Sequence, residues 1–509
     1  MKIQRTKNAT RNVFFSGMYQ VMNMLVPFAM RSIILHFLGV EYLGLGGLFR
    51  SIFSILNLAE LGVGSAMVYS MYKPIAEDDT ETICAVLKLY RTFYRIIGLV
   101  ILMIGLILTP FLPQLIMGEV TADINLYVLY FMNLGATAFS YWLFAYKASL
   151  LIAHQRNDII SKVALIVHST EYIFKVLVLI VFKNYYFYLG IQILGVIVNN
   201  IFIAIRASKI YPNYFPKGNL PKEKIRSIST RVRDLFTSNI SYVVSISADT
   251  LVISSFLGLT VLAVYQNYNY IVTALKSMIE VIVGACLAGI GNSLITESAE
   301  KNYRDLKKMT LLFGWLISVS SAILLCTFQP FMHMWMGEEN MLDFKYVICF
   351  VIYFYFIGMS KLLNMFKDAA GIWKKDKWRP LTAAIVNLTL NLITIQWLGL
   401  YGVILSTIIS IFVVEIPWIL HNLFMTVFSR EYLWKYVRLF YSFIAIAFVS
   451  CLASWYVCSL INLGNMLSFF INAALSFVIV NGIFFVVYGR NELFKESVSQ
   501  IVRVIFRRK

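Results

Sequence analysis

Apolar residues run along this chain in long unbroken stretches, not in the short alternating pattern of strands. Stretches of 18 or more recur over the whole length, each long enough to cross a hydrocarbon core of about 30 Å as a helix. Set against the polar breaks, they predict helices near 13–38, 44–69, 92–114, 124–146, 160–182 and 185–206. A polar, basic stretch follows over 207–233, and a second series lies near 234–257, 262–292, 309–331, 343–366, 379–398, 400–422, 437–460 and 465–488. The expectation is an all-α integral membrane protein of about fourteen transmembrane helices. Period-two alternation of the kind a membrane barrel needs is not seen. The first stretch is too long for a signal-peptide core and has no small-x-small cleavage site, so it is read as a retained helix.

Composition agrees: 59% of the 509 residues are hydrophobic and only 14% are charged, where a soluble domain carries about 25% charged residues. The six cysteines form no CxxC pair and sit almost entirely in apolar segments, so neither a disulfide nor a metal is expected. No HExxH or GxxxxGK[ST] pattern occurs, which argues against metalloprotease chemistry and against ATP hydrolysis by this chain. No cofactor is expected.

The formal charge of +18 is distributed asymmetrically. Of the 44 lysines and arginines, 37 fall in the N-terminal segment, the even-numbered loops with their helix ends, and the C-terminal tail. The other set of loops holds only Lys183 and Lys345. Positive loops stay in the cytoplasm, so both termini are expected there, and the charge reads as a topology signal toward anionic lipid, with no nucleic-acid partner. External loops near Pro113–Asp123 and Met332–Leu342 are short. In the tail, Leu493, Phe494, Val498, Ile501, Val502 and Ile505 share one helical face, the pattern of an interfacial helix or of a segment that closes the last span.

The chain also repeats itself. Phe37-Leu38-Gly39 recurs as Phe256-Leu257-Gly258, and Glu60-Leu61-Gly62-Val63-Gly64 recurs in part as Glu280-Val281-Ile282-Val283-Gly284, at nearly the same offset. Six intervening helices keep the two copies parallel, so two pseudo-symmetric six-helix lobes enclosing a cleft are expected, 1–206 and 234–422. A basic cytoplasmic linker, 207–233, joins them, and two further helices with a basic tail fill 423–509.

Arg31 to Leu48 (RSIILHFLGVEYLGLGGL), ELGVGSAMVYSMYKP from Glu60, and DTLVISSFLGLTVLAVYQNY from Asp249 resemble the polysaccharide flippases of the O-antigen and capsule type. These belong to the multidrug/oligosaccharidyl-lipid/polysaccharide exporter superfamily. The resemblance covers essentially the whole chain through loose motifs. It implies alternating access in a bacterial cytoplasmic membrane, a polyprenyl-diphosphate-linked oligosaccharide as cargo, and Asp249 facing the cleft.

Ionisable groups inside helices cost at least about 2.5 kcal/mol at the bilayer centre unless paired or hydrated. Arg31 and Arg50 lie on the two arms of the first hairpin, both roughly 9–12 Å below the outer turn at 1.5 Å per residue. Their planar forks suit a diphosphate, and the alternatives are a carboxylate partner or snorkelling. Lys276 is read as facing the same cleft or as pairing with Glu280 one turn on. Glu60 and Glu280 stand in repeat-equivalent places and, with Asp249, are read either as structural counter-charges or as carriers of a coupling H+, with Na+ the other ion to weigh. His168, Glu171 and Lys175 form one stripe, read as an intrahelical pair or as a proton relay. Lys361 and Glu415 receive no role.

The leading expectation is therefore a flippase, acting as a monomer in the bilayer, that moves an undecaprenyl-diphosphate-linked oligosaccharide from the cytoplasmic to the outer leaflet. An ion-coupled multidrug antiporter is the alternative, although its usual cationic cargo favours carboxylates. A membrane-embedded polymerase or ligase would need a larger external loop for its catalytic groups, so no enzyme activity is expected.

Overall fold

The computed structural model describes residues 5–118, 124–461, 463–496 and 499. Within them every regular element is helical. In chain order these are α1 (Arg5–Phe37), α2 (Val40–Leu56), α3 (Val63–Ala76), α4 (Thr80–Leu108), α5 (Leu126–Trp142), α6 (Ala148–Ala153), α7 (Asn157–Phe182) and α8 (Tyr185–Ile210). They continue as α9 (Lys222–Thr296), α10 (Ala299–Met336), α11 (Phe344–Ala369), α12 (Arg379–Leu398), α13 (Leu400–Ile409), α14 (Ile416–Thr426), α15 (Leu433–Ser459) and α16 (Asn465–Tyr488).

Twelve described helical segments are long and apolar enough to span a bilayer, and α5 with α6, bent by 47°, makes a thirteenth. The longest, Ser247–Thr296, runs 50 residues, more than twice the roughly 20 that a bilayer needs. It is interrupted at Gly258, so α9 is two helical arms; the described residues give twelve or thirteen candidate spans where about fourteen are expected. Polar side chains start several helices: Asp79 caps Thr82 of α4 at 2.9 Å, and Asn184 caps Tyr186 and Phe187 of α8.

The Phe-Leu-Gly repeat is a repeat of backbone geometry. Gly39 turns α1 into α2 at φ 108°, ψ 172°, and Gly258 turns the arms of α9 at φ 86°, ψ 177°. That region is open essentially to glycine alone. A Cβ at Gly39 would meet nothing, whereas one at Gly258 would come within 3.0 Å of the Met117 carbonyl oxygen; the Met117 N–H donates to the Ser254 carbonyl at 2.9 Å. Alanine at either site is expected to lower thermal stability in detergent, by about 1–3 kcal/mol for the backbone strain. Gly258→Ala should unfold at the lower temperature of the two because it adds a clash.

The second sequence match diverges. After Glu60 the chain leaves the helix, with Gly62 left-handed at φ 87°, while Val281 and Ile282 continue α9 without a break. A Cβ on Gly62 would strike the Leu235 Cβ at 2.6 Å, so this glycine lets the broken span approach the first arm of α9. The expected helix over 124–146 is also broken, at left-handed Phe144.

Packing divides the chain after Ala263 into two units. In the first, α1 lies against α7 and α7 against α8, with Ser16 and Ser161 hydrogen-bonded at 2.9 Å. The stretch 207–233 belongs to this unit and includes the end of α8 and the start of α9. In the second, α10 is central, and Leu311, Val319, Ala322, Phe443, Val480 and Phe484 bury α10 against α15 and α16. Gly314 keeps α10 close to α15, since a Cβ there would lie 3.1 Å from the Phe443 ring. Leu493 and Phe494 of the tail pack on this core, and Glu496 pairs with Arg304 at 2.5 Å. The remaining apolar positions of the expected tail face, from Val498 on, lie outside the described residues.

Candidate functional site

In the first unit, the stripe on α7 is a tight hydrogen-bonded triad around the Glu171–Lys175 ion pair. Glu171 accepts from Lys175 Nζ at 2.6 Å and from His168 Nδ1 at 2.8 Å. Glu171 and Lys175 are both buried, at 7% and 4% exposure, so the pair is inside the helical packing and is not a surface pair. Glycine at 195 on α8 makes this possible, because a Cβ there would collide with the Glu171 carboxylate. Lys175 also donates to Gln192 at 3.1 Å and lies 4.8 Å from the Tyr188 ring centroid. His168 stacks on Tyr19 of α1 at 5.9 Å.

Arg50 comes to the same place from α2. It lies within electrostatic reach of Lys175, Tyr172, Tyr185 and Tyr188. Its side chain is exposed, and it forms no ion pair among the described residues. Arg31 on α1 reaches Tyr188 electrostatically and has further interactions of its own. Tyr42 meets Tyr185 edge to face at 5.1 Å, Tyr185 stacks on Tyr188 at 5.6 Å, and the three form the aromatic wall of this cationic patch. The arginine pair and the α7 stripe, expected separately from the sequence, thus share Tyr188 as an electrostatic neighbour. Asp249 is buried at 8% in the same unit and also has interactions of its own.

Glu60 has a different setting. It ends a 3-10 turn, Asn57–Glu60, and accepts from the Tyr94 hydroxyl at 2.8 Å, which in turn receives the Tyr90 hydroxyl at 2.6 Å.

In the second unit, Glu280 pairs with Lys361 on α11 at 2.6 Å, and not with Lys276 one turn before it. Lys276 senses Lys361, Glu280 and Glu415, but both carboxylates are already held by other cations. Glu415 binds Arg379 at 2.7 Å. Arg379 is the centre of a network that sequence reasoning did not find. Its Nε and Nη2 fork onto Asp376, both at 2.8 Å, and Nη2 also donates to Asn364 at 3.0 Å. Asn422 of α14 and Lys367 of α11 complete the shell of Asp376 at 3.1 and 3.2 Å. The run WKKDKWRP before α12 was the available signal, but its charges resemble an ordinary solvated loop. Among the described residues no cluster of three or more metal-ligating side chains is found.

An apolar groove of about 290 Å³ lies between α10, α11 and α15, lined by Leu325, Phe344, Ile352, Phe448 and Trp455. Two buried hydroxyls without hydrogen-bond partners among the described residues, Ser321 and Tyr355, also border it.

Several solved structures share the architecture. A lipid II flippase, MurJ, in an inward closed conformation, aligns with a TM-score of 0.67 at 13% identity, covering 94% of this chain and 99% of its own. An inward-facing multidrug resistance MATE family transporter of the MOP superfamily aligns at 0.58 and 16% identity, over 80% of this chain and 94% of its own. A point mutant of the MATE transporter VcmN of Vibrio cholerae gives 0.52 at 16% identity, over 82% and 96%. At these identities the likeness is one of fold. No curated protein matches by sequence. Residues 9–288 match the family model described as polysaccharide biosynthesis protein. Because that match covers more than half of the chain, the protein belongs to the polysaccharide biosynthesis protein family, built on the helical membrane-transporter fold shared by the MurJ flippase and the MATE transporters.

Proposed function

We propose that this protein is an alternating-access flippase, with both termini cytoplasmic, that carries a polyprenyl-diphosphate-linked oligosaccharide from the cytoplasmic to the outer leaflet of a bacterial cytoplasmic membrane. The observation that carries the reading is the cationic patch around Arg50. It offers an exposed guanidinium within electrostatic reach of Lys175, and the carboxylate that pairs with Lys175, Glu171, is shared with His168. An anionic diphosphate supplies the missing counter-charge, and the guanidinium fork matches phosphate oxygens. The polyprenyl tail stays in lipid, where the chain's apolar helices already sit. A cationic drug would meet repulsion at the same patch, which favours the flippase over the multidrug antiporter.

The test is a proteoliposome assay with a fluorescent polyprenyl-diphosphate disaccharide whose outer-leaflet copies are read by an impermeant lectin. Protein-dependent translocation is expected, and a cationic dye should move no faster than in empty liposomes. Dye movement without glycan movement would overturn the reading in favour of the antiporter. The orientation is tested by cysteines at Gly118 and Lys222 in sealed cells: the first is expected to react with an impermeant thiol reagent and the second is not.

A further inference from the structure

Two arginines of α4 face the bend between α5 and α6. Arg91 and Arg95 stand four residues apart and so share one side of the helix. Arg91 lies within hydrogen-bond reach of the Tyr146 hydroxyl, and Arg95 is close enough to act on it electrostatically. Tyr146 belongs to the short turn Ala145–Lys147 that follows left-handed Phe144. Arg91 is half-buried and Arg95 exposed, and neither forms an ion pair among the described residues. The tyrosines one position back, Tyr90 and Tyr94, turn instead toward Glu60.

The bend is held on both sides. Trp142 Nε1 donates to the Arg95 carbonyl at 3.2 Å, and Gly98 makes room for the indole, since a Cβ there would lie 2.3 Å from that nitrogen. Toward α8, Lys147 donates to Ser208, and Asn200 donates to the Ser140 carbonyl at 2.9 Å. The two guanidinium groups therefore stand beside a braced turn.

Depth and chemistry agree. From Ile96 to Leu115 no residue is charged, a run of about 20 residues, the length that crosses one hydrocarbon core. Arg95 is the last charge before that run, which puts it at the level of the lipid headgroups, where tryptophans such as Trp142 also concentrate. Leu99 and Met103, four and eight residues on, continue the arginine side of α4 and are exposed. On α5, exposed Phe139 packs edge to face on Trp142 at 5.6 Å.

We propose that this corner binds one anionic glycerophospholipid, with its phosphate between Arg91 and Arg95 and its acyl chains along Leu99 and Met103. Paired guanidinium forks match phosphate oxygens, and basic pockets between spans recruit anionic headgroups. A soluble phosphate would leave the apolar strip beyond Arg95 unused. The binding does not depend on what is transported; that the lipid belongs to the cytoplasmic leaflet rests on the orientation proposed above.

The test is native mass spectrometry of the purified full chain, titrated with phosphatidylglycerol and separately with zwitterionic phosphatidylethanolamine. One phosphatidylglycerol is expected to bind in clear preference to phosphatidylethanolamine. Arg91→Gln with Arg95→Gln should weaken it by about tenfold or more and leave thermal unfolding of the lipid-free protein unchanged. Arg95→Gln alone, at the exposed position, should show part of the loss in a protein of parental stability. A control that removes the same charge, Lys374→Gln with Lys377→Gln, takes two exposed lysines from the connection before α12 and should bind as the parent does. Equal binding of the two lipids, or equal losses in the two double variants, would mean attraction by net charge alone and would overturn the proposal. Displacement of phosphatidylglycerol by glycerol phosphate at matched concentration would make the corner a site for soluble phosphate. Displacement by the polyprenyl-diphosphate disaccharide, lost in the arginine double variant, would make it part of the cargo's route. Either result overturns the assignment to a phospholipid, and neither depends on whether translocation is seen.

Discussion

Replacing Arg50 with alanine is expected to reduce translocation of a lipid-linked glycan by two orders of magnitude or more and to leave the protein folded. The two halves of this expectation come from the same geometry. Because Arg50 is exposed and forms no ion pair among the described residues, its removal strands no buried partner. The stability change should stay within about 0.5 kcal/mol, as for ordinary exposed positions. A phosphate held by the guanidinium fork would lose two charge-assisted hydrogen bonds, each worth about 1.5–3 kcal/mol, or roughly two to four decades in affinity. Arg50→Lys keeps the charge and loses the fork, so it should fall between the two. The measurement is the initial translocation rate in proteoliposomes beside thermal unfolding in detergent. Normal transport by Arg50→Ala would place the diphosphate elsewhere. Lys175 is a poorer probe, since its removal leaves Glu171 buried with only His168 as a partner.

Arg379→Ala should do the reverse and cost stability before it costs anything else. Arg379 is 5% exposed and Asp376 is 4% exposed, and one guanidinium joins Asp376, Glu415 and Asn364. Taking it away leaves carboxylates in the interior with fewer donors than they need. Breaking a buried pair from one side costs about 3–5 kcal/mol, a large share of a whole domain's stability. Arg379→Lys keeps a charge but can satisfy only part of the fork, so it should recover a fraction of the loss. The expected readout is a much lower yield of monodisperse protein and a lowered unfolding temperature. Limited proteolysis should cut first near residues 370–378, the connection that the network pins. An unfolding temperature equal to the parent's would show that the network contributes little.

The contrast between these two arginines explains what could be read in advance. Helix count followed from hydrophobic length alone, and Phe37-Leu38-Gly39 against Phe256-Leu257-Gly258 foretold a shared turn because only glycine reaches that backbone region. Arg31, Arg50 and the α7 stripe stood out because a charge inside an apolar run is costly wherever it points. Their convergence did not, since nothing local records that Arg50 on α2 and Lys175 on α7 come within electrostatic reach of each other. Arg379 was invisible for a related reason: its partners Asn364, Asp376 and Glu415 are spread over three segments, and its own segment is a basic loop of ordinary appearance. Likewise Glu60 resembled Glu280 in sequence. Leu61 against Val281 and Gly62 against Ile282 were the nearby differences, and at Gly62 the backbone turns left-handed where Ile282 continues the helix.

The span formed by α13 and α14 carries a wide turn over Ser410–Glu415, just before Pro417, which lacks an N–H and would crowd the carbonyl four residues back in a regular helix. Such a turn winds one surplus residue into the helix, so the stretches on either side are out of phase by about 100°. Ser406, before it, and Ser410, at its first residue, face α12, and Glu415, at its last, and Asn422, after it, meet the Arg379 network. An alignment of relatives that lack Pro417 should therefore open a single-residue gap between 410 and 415. That gap would mark a helix wound to its normal pitch, and it would not mark a shortened loop.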